Sequence, residues 1–396
     1  MIRTATALEA TSHEQHRRVE HLILCALATF MAALDGSVVN VALPLVRADF
    51  HAPVSAMDWV VSAYLLSICA LLLAAGKLGD AFGYVRLMAL GFVVFGSASL
   101  FCGSAHGVQA LSIARAVQGA GAAMLMASGP ALIAAAFPPE HRGKALGAMA
   151  TATYIGLALG PTLGGVISSA LSWRWVFWIN LPISVAGTAL AARLFTKTAR
   201  KKPQGRFDWV GAFLWAGLLV SALVAMERTE SSLAMRLGLG AFAAVLLGLF
   251  IWQEGRVATP LLPLGLFRNK AFSGGVAAAW IQYAALFILN FMLPFFLEEA
   301  RALGPAEAGF VMTAQPIVMM LTTGAAGWLA DRVGPRIPST VGLVVFALGM
   351  FTLAFMAPTG GQAFIVGGLM IVGLGVGLFT TPNNTVILSS APGEHR

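Results

Sequence analysis

The sequence predicts an all-α polytopic membrane protein, and three observations carry that reading. Of the 396 residues, 58% are hydrophobic and only 11% are charged, against about 45–50% and about 25% in soluble domains. Apolar runs of roughly 20 residues, the length a helix needs to cross a bilayer, recur along the whole chain. Basic residues gather at alternate ends of these runs, the bias that orients membrane helices. Soluble enzymes and nucleic-acid modules are excluded by the first observation. The net charge of +8 therefore speaks for membrane orientation, and neither nucleic acid nor a cofactor is expected.

Residues 1–21 are polar and read as a cytoplasmic N-terminal segment. The first apolar run is too long for the core of a cleaved signal and contains an acid. Candidate spans follow at 22–46, 57–79, 87–105, 109–136, 144–169, 175–196, 208–227, 234–252, 272–297, 307–330, 337–357 and 362–388. Most connections are short, as between antiparallel neighbours. With the N-terminus inside, Lys77, Arg86, Arg142, Lys144, Arg193, Arg332 and Arg336 fall on the cytoplasmic side. The outer side receives only Arg47, Arg174, Arg228, Arg236 and Arg301, so both ends of the chain are expected in the cytoplasm. The run Arg200-Lys201-Lys202 reads as a topogenic, lipid-facing patch. Cys25, Cys69 and Cys102 all lie in apolar segments and read as buried thiols, not as a disulfide framework.

An internal repeat is visible. Gly76-Lys-Leu-Gly-Asp80-Ala-Phe-Gly83 recurs as Gly327-Trp-Leu-Ala-Asp331-Arg-Val-Gly334, and Pro139-Glu-His-Arg142 recurs as Gly393-Glu-His-Arg396. A constant offset of roughly 250 residues indicates two related membrane lobes. The expected organisation is a six-helix lobe over 22–196, a linker over 197–271 with an inserted helix pair at 208–252, and a lobe over 272–396. That second lobe has four spans, so it reads as incomplete, and transport by residues 1–396 alone is expected to be poor.

Polar residues inside the spans mark candidate chemistry. Asp35 lies about thirteen residues into the first span, roughly 20 Å from its inner end, and is the acid set most deeply in any span. An ionised carboxylate there costs several kcal/mol, so it must line a wet cavity, pair, or take a proton. Arg115 enters the fourth span by about seven residues, roughly 10 Å from the outside. The two are expected at similar depth, facing one cavity, with Gln118 on the same helical face as Arg115. Gly156, Gly160 and Gly164 recur every fourth residue, giving the fifth span a smooth face for close helix approach, beside Pro161, which bends it. Asn40, Trp59, Tyr64, Gln282, Asn290, Gln315, Asn383 and Asn384 are the remaining candidates for a substrate path. No clustered His, Cys and carboxylate set suggests a metal, and no phosphate-binding glycine loop with Lys and Ser/Thr suggests direct coupling to ATP.

In order, these segments resemble the major facilitator superfamily, specifically its fourteen-span drug:proton antiporter family of multidrug exporters. Leu34-Asp35-Gly36-Ser37-Val38-Val39-Asn40-Val41-Ala42-Leu43-Pro44 resembles that family's first-helix signature. Gly76 to Gly83 is similar to the superfamily's loop motif, with Lys77 and Arg86 retained and Ala81, Tyr84 and Val85 in place of its usual basic residues. Arg115-Ala-Val-Gln118-Gly119-Ala-Gly121 resembles the fourth-helix motif. Gly156 through Gly160, Pro161, Gly164 and Gly165 resembles the antiporter motif, and Trp173-Arg174-Trp175 through Asn180 and Pro182 the start of the sixth helix.

The resemblance implies a major facilitator fold of two helical lobes plus two extra helices, in a bacterial cytoplasmic membrane. It implies proton-driven export of amphipathic or cationic small molecules by alternating access, and no enzymatic activity. Asp35 would exchange proton and substrate, Arg115 would tune it, and the fifth helix would seal the outer half of the path. Asp80 and Asp331, with Gly76, Gly83, Arg86, Gly327 and Gly334, would latch the inner side. The expected partners are protons, small amphipathic substrates and lipids, with a periplasmic adaptor as a candidate where the host has two membranes. A dedicated exporter of one metabolite or self-made antibiotic, and an inactive truncated transporter, stand as alternatives.

Overall fold

The protein is described by a computed structural model, which covers residues 2–195, 208–227, 233–257, 260–356 and 360–390. Every candidate span forms a helix, because in lipid a backbone must satisfy its own hydrogen bonds. In chain order these are α1 (Ile2–Phe50), α2 (Val54–Phe82), α3 (Tyr84–Gly103), α4 (Val108–Ala136) and α5 (Pro139–Ala170). Next come α6 (Trp175–Trp178), α7 (Asn180–Phe195), α8 (Trp209–Glu227) and α9 (Leu233–Glu254). The chain continues through α10 (Lys270–Phe295), α11 (Pro305–Val333), α12 (Arg336–Met356) and α13 (Gln362–Ser390). Among the described residues, eleven helical stretches are long and apolar enough to cross a membrane, and Trp209–Ala225 is a shorter apolar one.

Three features differ from the sequence reading. The polar segment before residue 22 continues α1 as one helix. The sixth span is broken at Ile179 into α6 and α7. Cys69, expected to be buried, is exposed, whereas Cys25 and Cys102 are buried, and none of the three is in a disulfide. An apolar segment predicts burial in lipid or in protein alike, so composition could not place that thiol. Large apolar side chains are widely exposed, among them Phe101, Ile113, Phe213, Trp280 and Phe355, as required when the solvent is hydrocarbon.

The chain divides into two compact units. The first holds α1 as far as Ala32, Ala52–Ala150, and Trp178–Leu264. Here α4 packs on α2 and α3, α3 on α7, and α8 on α9 and α2, around Leu24, Met31, Phe92, Phe95, Leu125 and Ile133. The second holds Ala33–His51, Thr151–Phe177 and the chain from Gly265. There α13 packs on α12, α11 and α10, around Leu286, Met312, Phe346, Leu369, Val372 and Val376.

The internal repeat is written into the packing. In the first unit, a Cβ on Gly121 would lie 2.6 Å from the Phe95 nitrogen and 2.9 Å from the Gly91 carbonyl oxygen. In the second, a Cβ on Gly375 would lie 2.3 Å from the Phe346 nitrogen and 2.8 Å from the Gly342 carbonyl oxygen. Both crossings bring backbones together where only glycine fits. The loop motifs match as well: Gly83 and Gly334 turn the chain at φ +96° and +83°, a region that L side chains rarely enter.

Candidate functional site

The α2–α3–α4 contact holds the most developed polar site. Gly119 lets α4 close on α2, since a Cβ there would lie 2.4 Å from the Tyr64 carbonyl oxygen. Arg115, one turn earlier, is thereby pressed onto α2. Its Nε donates to the Val60 carbonyl at 3.2 Å, and its guanidinium carbon lies 4.0 Å from the centre of the Tyr64 ring. A terminal N–H donates to Gln118 Oε1 at 2.6 Å. Gln118 Nε2 donates to Ser99 Oγ at 2.8 Å, and Ser99 Oγ donates to the Phe95 carbonyl at 2.7 Å. Arg115, Gln118 and Ser99 are all fully buried. Charge-assisted hydrogen bonds and the ring face offset the cost of holding a permanent cation in a dry site.

Sequence reasoning named Arg115, Gln118 and Tyr64, and the structure brings these three together. It missed Ser99 and the Val60 carbonyl. A serine in a membrane helix ordinarily bonds its own preceding turn, so only tertiary contact reveals that it also accepts from a neighbour.

The repeat shows that this network is not demanded by packing. Gly373 stands against the Gln315 carbonyl as Gly119 stands against that of Tyr64, each Cβ position 2.4 Å from the oxygen. Counting back from Gly373, Leu369 and Val372 occupy the places of Arg115 and Gln118. Both are fully buried within an apolar core. The same helix crossing is therefore built with aliphatic side chains in one copy and with a buried cation in the other. Charge in the first copy is an addition to the fold, not a condition of it.

In the second unit, α1 runs against α5 along the four-residue glycine face. Ser37 Oγ donates to the Ala33 carbonyl at 3.0 Å and to the Gly156 carbonyl at 3.3 Å. A Cβ on Gly160 would collide with Ser37 Oγ at 1.8 Å, and one on Gly164 would lie 2.7 Å from the Val38 carbonyl oxygen. The adjacent face meets α11. A Cβ on Gly165 would lie 2.3 Å from the Pro305 carbonyl oxygen, and one on Gly309 would lie 2.2 Å from that of Pro161. The Thr162 and Thr313 hydroxyls bond each other at 2.6 Å. Beyond them, Arg47 pairs with Glu299, while Arg174 and Trp173 Nε1 both donate to Asp49 Oδ2, at 3.0 and 3.1 Å. These exposed ion pairs fix geometry more than they add stability. Asp35, two residues before Ser37, is fully buried.

The remaining candidates are scattered. Asn383 is buried and donates to the Gly275 carbonyl at 3.0 Å. Gln315 is buried, with its amide nitrogen 3.9 Å from Met319 Sδ. Gln282 is fully buried, and neither of its amide atoms has a hydrogen-bond partner, a costly state for a buried amide. Asn40, Trp59 and Asn290 are half-buried, and Asn384 is exposed.

At the loop motif, a Cβ on Gly76 would meet nothing within 4 Å, and one on Gly327 would meet Thr381 Cγ2 at 3.4 Å. Asp80 sits in the last turn of α2 and accepts from the Tyr84 hydroxyl. Arg86 is half-buried. The side chain of Asp331 and the basic run 200–202 lie outside the described residues.

These features define a helical membrane protein built from an internal repeat, with close glycine crossings and a buried cation. Residues 25–396 match the Major Facilitator Superfamily, and the chain belongs to that family. It is similar to the riboflavin transporter RibZ of Clostridioides difficile (strain 630), at 34% identity over 94% of this chain and 81% of that one. It is also similar to the multidrug resistance protein Stp of Mycobacterium tuberculosis, at 30% identity over 94% of this chain and 70% of that one. Among solved structures, the peptide transporter POT in complex with sulfate shares the fold, with a TM-score of 0.70 at 15% identity, over 95% of this chain and 83% of that one.

Proposed function

We propose that the chain is a proton-coupled antiporter of the fourteen-span kind, exporting amphipathic or cationic small molecules across a bacterial cytoplasmic membrane by alternating access. On this reading, 22–196 and 272–396 are the moving lobes, and 208–252 is the inserted pair, with the turn between α2 and α3 facing the cytoplasm. The observation that carries the proposal is Asp35, a fully buried carboxyl in the apolar run of α1. A carboxyl in such a place exchanges a proton, a partner or water as its surroundings change. Support comes from the Arg115 network, which the fold does not require, and from the relative named for multidrug resistance.

The energetics suit that role. A proton moving inward gains about 2.3 kcal/mol per 100 mV and about 1.4 kcal/mol per pH unit. Exchange of one proton for one monovalent cation moves no net charge and draws on the pH gradient alone. A neutral substrate draws on both.

The test is dye efflux in an efflux-deficient host. Whatever lowering of dye accumulation the protein produces, both Asp35→Asn and a protonophore should abolish it. Full efflux by Asp35→Asn at normal expression would refute the assignment. A second reading, a carrier for one metabolite, is favoured by the relative named as a riboflavin transporter. Competition among chemically unrelated dyes separates the two, since a dedicated carrier ignores most of them.

A further inference from the structure

At the base of α8, two acidic side chains distant in sequence meet with half of their oxygens unaccounted for. Asp208 immediately precedes α8 and is 8% exposed; Glu254 ends α9 and is 5% exposed. Asp208 Oδ1 accepts from the Gly211 N–H and from Gln253 Nε2, both at 3.0 Å, the first of these capping α8. Glu254 Oε2 accepts from the Leu262 N–H at 3.0 Å, tying α9 to the segment that leads on to α10. The other two oxygens, Asp208 Oδ2 and Glu254 Oε1, are shielded from solvent and have no hydrogen-bond partner. Both border the space that a Cβ on Gly211 would fill. A Cβ on Gly211 would lie 2.4 Å from Asp208 Oδ2 and 3.0 Å from Glu254 Oε1, so glycine leaves the space between them open.

Two buried carboxylates cannot both stay ionised face to face without compensation. The groups acting on the pair are Lys77 from α2, Gln253 from α9 and the backbone N–H groups of Gly211, Leu261 and Leu262. A metal ion would find only two side-chain oxygens, far fewer than the six to eight that Ca²⁺ takes, and no set of three or more potential ligands exists among the described residues. A single hydrogen shared between the two oxygens would satisfy both. Glu254 lies at the negative end of the α9 dipole and Asp208 at the positive end of the α8 dipole, which places the hydrogen on Glu254.

We propose that Asp208 and Glu254 form a proton-binding site, in which Glu254 Oε1 carries the hydrogen and donates it to Asp208 Oδ2. The site is independent of Asp35 and of the transport reading. When occupied, it joins the start of α8, the end of α9 and the following segment into one corner. When the proton leaves, two like charges face each other across Gly211 and that corner loosens.

Infrared difference spectra of the full chain in lipid nanodiscs, taken between acid and alkaline buffer in H₂O and D₂O, test the proposal. A deuterium-sensitive carbonyl band of a protonated carboxyl should be lost in Glu254→Gln, shifted in Asp208→Asn and retained in Asp35→Asn. Sodium or potassium added at constant pH should leave the band in place. Survival of the band in Glu254→Gln, or its bleaching by either cation, overturns the proposal. Glutamine offers an N–H where the acid offered O–H, so that variant should fold. Should it fail, Gly211→Ala fills the space between the oxygens and must shift the band; an unshifted band in Gly211→Ala overturns the proposal equally.

Discussion

Gly165→Ala tests whether the α5–α11 contact is a seal that opens. The added Cβ would lie 2.3 Å from the Pro305 carbonyl oxygen and 2.9 Å from Ala306 Cα. Both obstacles are backbone, so neither can rotate away, and the helices must part by about 1 Å to reach ordinary contact distance. Overpacking of this kind costs about 1–3 kcal/mol. The gain from replacing glycine by alanine in a helix, up to about 1 kcal/mol, applies whether the contact is open or closed and so cancels from that equilibrium. The closed contact should therefore lose roughly 5–150-fold in population.

Cysteines at 162 and 313, whose hydroxyls now lie 2.6 Å apart, report on it through their cross-linking rate after Cys25, Cys69 and Cys102 are replaced. We expect the rate to fall at least several-fold in Gly165→Ala. It should stay unchanged in Gly367→Ala, where an added Cβ meets nothing within 4 Å. Equal rates in all three backgrounds would show that the close approach carries no energetic consequence.

Other expectations follow from the same geometry. Gln118→Leu strips Arg115 of an acceptor held at 2.6 Å and should lower unfolding stability by about 1–2 kcal/mol, within the range for polar contacts in membrane helices; chemical denaturation in mixed micelles measures it. Gln282→Leu should do the reverse, raising stability by about 1–3 kcal/mol because the buried amide satisfies neither atom. A melting temperature lower than the parent's would show that Gln282 has a structural partner. Gly83→Ala forces an L residue to φ +96° and should cost about 1–3 kcal/mol, read as a lower melting temperature than that of Gly76→Ala, where nothing crowds the new methyl.

The Tyr84–Asp80 hydrogen bond explains a departure noted in the loop motif. At a position where the resemblance implies a basic residue, this chain carries Tyr84, whose hydroxyl donates to the Asp80 carboxylate. The contact is kept within one turn of chain without an ion pair.

Hydrophobic length and charge bias determined the spans, because crossing a bilayer depends on local composition alone. The repeat was legible for the same reason: Gly76–Gly83 and Gly327–Gly334 are local strings, and both end in a glycine at positive φ. The glycines of α5 announced a smooth face, but the sequence could not say what would fill it. Tertiary structure decided that one side takes Ser37 and Val38 of α1 and the next takes Pro305 and Ala306 of α11. It also decided that Arg115 reaches Val60 and, through Gln118, Ser99, whereas Leu369 and Val372 fill the matching places with aliphatic groups. Asp208 and Glu254 each read as an ordinary helix-end acid, one capping α8 and one closing α9. Their meeting depends on how α8 packs against α9, and pairing between distant segments follows from which helix faces meet, a property that no single segment contains.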